Sequence, residues 1–140
     1  MPISESQELV FRLLEHSNFN NLAGARVAEE LRVNESLWRS AYFTSIGIAK
    51  NSLDEWVFNA DRKDLMSLRD LQKGFLHLDT LLLLPNPNAQ DQLTATTRAW
   101  KADIVQWIGI DEAARVMGGK RSVLEYATDP NRVLLYIWWD

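Results

Sequence analysis

Four consecutive leucines, Leu81–Leu84, run directly into Pro85, and the connection that follows is Pro85-Asn86-Pro87-Asn88. A segment apolar at every position has no face to give to water, so its secondary structure decides the fold class. It is too short for a membrane span, which needs about 18 apolar residues, and His77 and Asp79 interrupt its flank. Upstream, Leu65, Leu68, Leu71, Phe75, Leu78 and Leu82 recur every three or four residues, the seam of a helix. Asp61 stands at an N-cap position with Asp64 in the first turn, and Pro85 ends the segment because it cannot continue the ladder. The spacing predicts a helix over 62–84, kinked at Gly74, where a glycine costs about 1 kcal/mol relative to alanine.

The next segment repeats the pattern. Asn88 is the expected N-cap, and Leu93, Thr97, Trp100, Ile104 and Trp107 follow at helical spacing, predicting a helix over 89–108. The short connection makes the two helices antiparallel neighbours at the centre of the fold. Elsewhere, Ser4 with Gln7 and Ser52 with Glu55 form capping-box patterns, the second ahead of Trp56 and Val57. Helices are also expected over 22–32 and 35–46, with a short one in Ile110–Met117 ended by Gly118 and Gly119. In the tail, Val, Tyr, Ile and Trp flank the turn-forming Thr128-Asp129-Pro130-Asn131, which favours a small hairpin over 122–139. The expected architecture is mainly α, one helical bundle over 1–140 with a small C-terminal β-hairpin.

The chain has no cysteine, which excludes disulfides, thiolate metal sites and cysteine nucleophiles and suits a reducing cytoplasm. Its net charge of −4 is spread along the sequence, with no basic arm to grip nucleic acid. The N-terminus lacks the basic and apolar regions of a signal peptide. The two histidines, His16 and His77, stand in no metal-binding pattern; His16 is a cation near a helix C-terminus. The stretch Gly118-Gly119-Lys120-Arg121-Ser122 lacks the upstream glycine of a phosphate loop, having Ala114 in its place, and no Gly-x-Ser-x-Gly elbow occurs. No catalytic residue, metal ligand or cofactor is therefore assigned.

Two stretches, residues 26–42 and 111–127, resemble helix-turn-helix units in their small and apolar positions. The second carries Arg115, Lys120 and Arg121, the residue types that read bases and phosphates, but Asp111, Glu112 and Glu125 oppose them. The tryptophans give a different signal. Trp138 and Trp139 are adjacent, so on a strand they face opposite ways, and both are buried only where both faces are covered. Tyr136, Trp138 and Trp139 are thus candidate interaction residues, tryptophan being prominent among interface anchors. The sequence points to a non-catalytic interaction or adaptor protein of the cytoplasm that binds another protein, or itself, through an apolar tryptophan-containing surface. A DNA-binding regulator using 111–127 ranks second. A small-molecule pocket or enzyme between the helices ranks third.

Overall fold

The computed structural model describes residues 4–17, 22–44, 47–50, 53, 56–59 and 79–140. In chain order these form helices α1 (Glu5–Glu15) and α2 (Gly24–Val33), strands β1 (Trp38–Thr44), β2 (Gly47–Lys50), β3 (Trp56–Asn59) and β4 (Thr80–Pro85), helix α3 (Gln90–Thr97), strand β5 (Ile104–Ile108), helix α4 (Ile110–Met117) and strand β6 (Leu134–Trp138). Two stretches of 3-10 helix, Arg98–Trp100 and Gly118–Tyr126, extend α3 and α4. Four strands form one antiparallel sheet in the order β1-β4-β6-β5, and β2 pairs with β3 separately.

The leucine run is therefore a strand, and the mainly α bundle is overturned by a mixed α/β fold. Residues 80–84 of the expected 62–84 helix belong to β4, while 62–78, with Gly74 and His77, lie outside the described residues. The expected 89–108 helix is α3, a 3-10 turn and then β5, with Lys101 in the left-handed region at φ 58° where the helical path ends. Asn88 also has positive φ, and Ala89 takes the N-cap position instead. Within the expected 35–46 helix, Trp38–Thr44 form β1, and residues 45 and 46 lie outside the described residues. The expected hairpin over 122–139 does not form: its first half is 3-10 helix, and β6 pairs with β4 and β5. Residues 52 and 55 lie outside the described residues, and Trp56 and Val57 belong to β3.

One physical fact underlies these corrections. β4 and β6 are central strands with both faces covered, so neither has a polar side. Every residue of β4 is buried, as are Leu134–Ile137 of β6. A run without polar positions satisfies a spacing of three or four as readily as a spacing of two, and its periodicity cannot tell helix from strand.

Alternation then sends the side chains into two separate cores. On one face, Leu81, Leu83, Leu135, Ile137 and Trp139 pack with Phe11 and Leu14 of α1, Val27, Ala28 and Leu31 of α2, and Leu93 of α3. On the other, Leu82, Leu84, Leu134 and Tyr136 pack with Ala113 and Met117 of α4, and with Leu124 and Val133. The chain crosses the first face as α3, forms β5, crosses the second face as α4, and returns as β6 between β4 and β5.

Local signals that depend on few residues were read correctly. Ser4 and Gln7 form the capping box of α1: the Gln7 amide donates to Ser4 Oγ (3.2 Å) and the Ser4 amide to Gln7 Oε1 (2.8 Å). Gly118, at φ 54°, ends α4 as expected. At Arg132, a hydrogen bond from its amide to Asp129 O closes a turn, and its side chain reaches Asp91 in the first turn of α3 (2.6 Å). That turn leads into β6 from the 3-10 stretch.

Gly24 is required by close approach. Its amide donates to Ser17 O (2.9 Å), and a Cβ there would lie 1.9 Å from Leu14 O and 2.4 Å from Ser17 O. Both are backbone atoms that cannot rotate away. Gly24→Ala is expected to force α1 and α2 apart and to lower stability by about 3 kcal/mol, the upper range of overpacking costs. Urea unfolding measures this directly, and a variant within experimental error of the parent would refute the helix contact described.

Candidate functional site

A cleft of about 350 Å³ lies between α1, the end of α2 and β1. Its walls are apolar: Val10 and Phe11 from α1, Leu31 from α2, and Trp38, Ala41 and Phe43 from β1. Volume and lining match a site that takes an apolar group. Gln7, Arg32, Glu35 and Arg39 supply polar atoms around it.

The cleft follows from how α1 is divided. Phe11 and Leu14 are buried against the sheet. Glu8 and Glu15 turn toward α2, where Arg32 donates to both Glu8 oxygens (2.8 and 2.7 Å) and reaches Glu15 at 3.5 Å. The Arg32 guanidinium also lies over the Phe11 ring, 4.4 Å from its centroid. Ser6, Leu9, Val10 and Leu13, spaced i, i+3, i+4 and i+7, share the remaining side. Leu9 is 58% exposed and Val10 49% exposed. An apolar stripe thus borders an apolar cleft, whereas scattered single exposed apolar residues would be ordinary.

The opposite wall is set by β1, which ends the sheet among the described residues. Trp38 Nε1 donates to Leu31 O (3.0 Å), tying the strand to the end of α2. A bulge between Trp38 and Ser40 leaves Arg39 as the additional residue of the edge strand. Arg39 is exposed, and its guanidinium lies 3.7 Å from the Tyr126 ring centroid. Glu35, in the turn before β1, is also exposed.

The residues singled out in the sequence lie elsewhere. Tyr136 (0% exposed) and Trp139 (1% exposed) are core residues on opposite faces of the sheet, and Trp138 is half-buried. Trp139 Nε1 donates to Trp100 O (3.2 Å). Burial pushes the Tyr136 phenol well above its ordinary value of 10.0, with the Asp79 charge adding to the shift and a hydrogen bond with Thr80 opposing it. Among the alternative nucleic-acid residues, Arg115 is ion-paired to Glu112, Arg121 is exposed, and the side chain of Lys120 lies outside the described residues. Residues 111–127 hold one α-helix followed by 3-10 helix, and residues 26–42 hold α2 followed by β1, so neither stretch has the two α-helices of a helix-turn-helix unit. His16 caps the end of α1. Among the described residues no group of three or more His, Cys, Asp or Glu could hold a metal ion, and no helix is long and apolar enough to cross a membrane.

No family model, curated protein or solved structure matches this chain. The cleft therefore stands on its own geometry. The cleft is not legible in the sequence because the spacing in β1 fits a helix, which hides that Ala41 and Phe43 share one side of a strand. The exposed pair Leu9 and Val10 in a capped amphipathic helix was the legible signal.

Two measurements test this placement. Trp139→Ala removes a fully buried indole and is expected to destabilise the protein by about 3–5 kcal/mol in denaturant unfolding; a fully stable variant would place Trp139 on the surface instead. The second concerns pH. The hydrogen bond from Arg32 holds the Glu8 carboxyl below its ordinary value of 4.5. A depressed folded-state pKa contributes stability above pH 4.5 that is lost as pH falls through the folded-state value. The stability difference between the parent and Glu8→Gln should therefore be largest near neutral pH and shrink with acidification below 4.5. A difference independent of pH would remove the charged pair from the account.

Proposed function

We propose that this chain is a non-catalytic interaction protein of the cytoplasm and that its binding surface is the cleft between α1, α2 and β1. One observation carries the reading: an apolar cleft of about 350 Å³ lies beside an exposed apolar stripe on the same helix. Water is poorly accommodated by such a combination, and a partner that covers both removes apolar surface from solvent. Shape supports the same reading, since one wall is a strand at the edge of the described sheet and the other the side of a helix. The polar rim supplies orientation, as rims of interfaces do.

The proposal moves the interaction surface away from Tyr136, Trp138 and Trp139, whose burial leaves little for a partner to touch. It keeps the class of function and changes its location.

Site-specific photocrosslinking in the native host tests it. With p-benzoylphenylalanine in place of Val10, irradiation is expected to yield a discrete covalent adduct with a polypeptide. The same group in place of the exposed Glu125, in the 3-10 stretch after α4, is expected to yield none. Absence of any adduct from residue 10, or equal adducts from both positions, would defeat the proposal.

A further inference from the structure

We infer that the occupant of the cleft is a second copy of this chain, related to the first by a two-fold axis; this rests on the cleft being the binding surface, as proposed above.

The inference comes from the pattern of charge and shape on the patch. Three formal charges line the cleft. Arg32 is already held within its own chain by Glu8 and Glu15. Glu35 and Arg39 differ from it: both are exposed, and among the described residues neither forms an ion pair. They do not satisfy each other, because the Arg39 guanidinium is stacked 3.7 Å from the centroid of Tyr126. The patch thus offers one acid and one base at the border of an apolar floor.

A two-fold interface uses the same surface on both subunits, so it must be complementary to itself. A patch bearing one free charge of each sign meets that condition. Arg39 of one protomer faces Glu35 of the other, and the reciprocal pair forms across the axis. A uniformly basic or acidic rim would repel its own copy. Shape has the same property. The exposed Leu9 lies beside the cleft that Val10 lines, so on each protomer exposed apolar surface adjoins an apolar cleft that the other copy can cover. The apolar contact supplies affinity and the two ion pairs fix the orientation.

The test uses the purified full chain. Light scattering coupled to size exclusion, from micromolar to near-millimolar protein, is expected to show a concentration-dependent shift from 16.1 kDa toward twice that mass. Glu35→Arg and Arg39→Glu should each weaken the dimer at least tenfold, and the double swap should restore it, because the reversed pairs attract again. Both residues are exposed and outside any ion pair among the described residues; Glu35→Arg is expected to keep the parent's melting temperature, Arg39→Glu to lose only the stacking on Tyr126 and stay folded, and circular dichroism verifies both. A monomer at every concentration overturns the inference. So does a dimer indifferent to both single reversals, or one that the double swap fails to rescue. Crosslinking from residue 10 separates this inference from the reading beneath it. An adduct between two copies supports both. An adduct with a different polypeptide overturns the self-pairing and leaves the cleft as the binding surface. No adduct removes both.

Discussion

Two strands that are buried on both faces hold this structure together. β4 and β6 lie side by side at the centre of the sheet, with Leu81 opposite Ile137, Leu82 opposite Tyr136 and Leu83 opposite Leu135. Side chains that alternate along a strand need two enclosures, and the chain builds both: α1, α2 and α3 over one face, α4 and the 3-10 stretch over the other. Slipping the pairing by one residue would exchange leucine for leucine and cost little within β4. The register is instead held by residues of different size and polarity, such as Trp138 beside Thr80 and Tyr136 beside Gln106. The position of β6 adds a kinetic consequence. β6 pairs with the sequence-distant β4, so this part of the sheet forms only when residues far apart along the chain have met, a slow class of contact.

The same arrangement creates the cleft. β1 takes the edge of the sheet and cannot be covered on both sides as β4 and β6 are. α1 is fastened to α2 through Arg32, Glu8 and Glu15, and to the sheet through Phe11 and Leu14. That double attachment leaves its third side, with Leu9 and Val10, facing outward over the end of β1. The cleft is thus a residue of the packing problem: α1 and α2, with α3, close one face of the sheet, and the junction of α1 and α2 with the edge strand is left open.

Legibility in the sequence followed the range of the interactions. The α1 capping box, the extent of α2 and the glycine stop of α4 each rest on a few neighbouring residues, and all were readable. Leu81–Leu84 was not, because a leucine tract fits a helix stripe and a two-faced strand equally well, and leucine itself prefers helix. β1 was misread for a related reason: Trp38, Ala41 and Tyr42 mimic helical spacing, while the bulge at Arg39 breaks the alternation that would have betrayed a strand. The observation that adjacent Trp138 and Trp139 need cover on both faces already contained the correct architecture. The cleft depends on all three elements and was therefore out of reach from any one of them.

The central claim is that residues 80–85 are a strand lying between β1 and β6 rather than the end of a helix. Nuclear Overhauser contacts in the isotope-labelled protein test it most directly. The account requires cross-strand contacts joining Leu82 to both Tyr42 and Tyr136, together with contacts joining Tyr136 to Gln106. Helical contacts between residues three apart through Leu81–Leu84, with no cross-strand signals to Tyr136, would contradict it and remove the basis of the cleft as well.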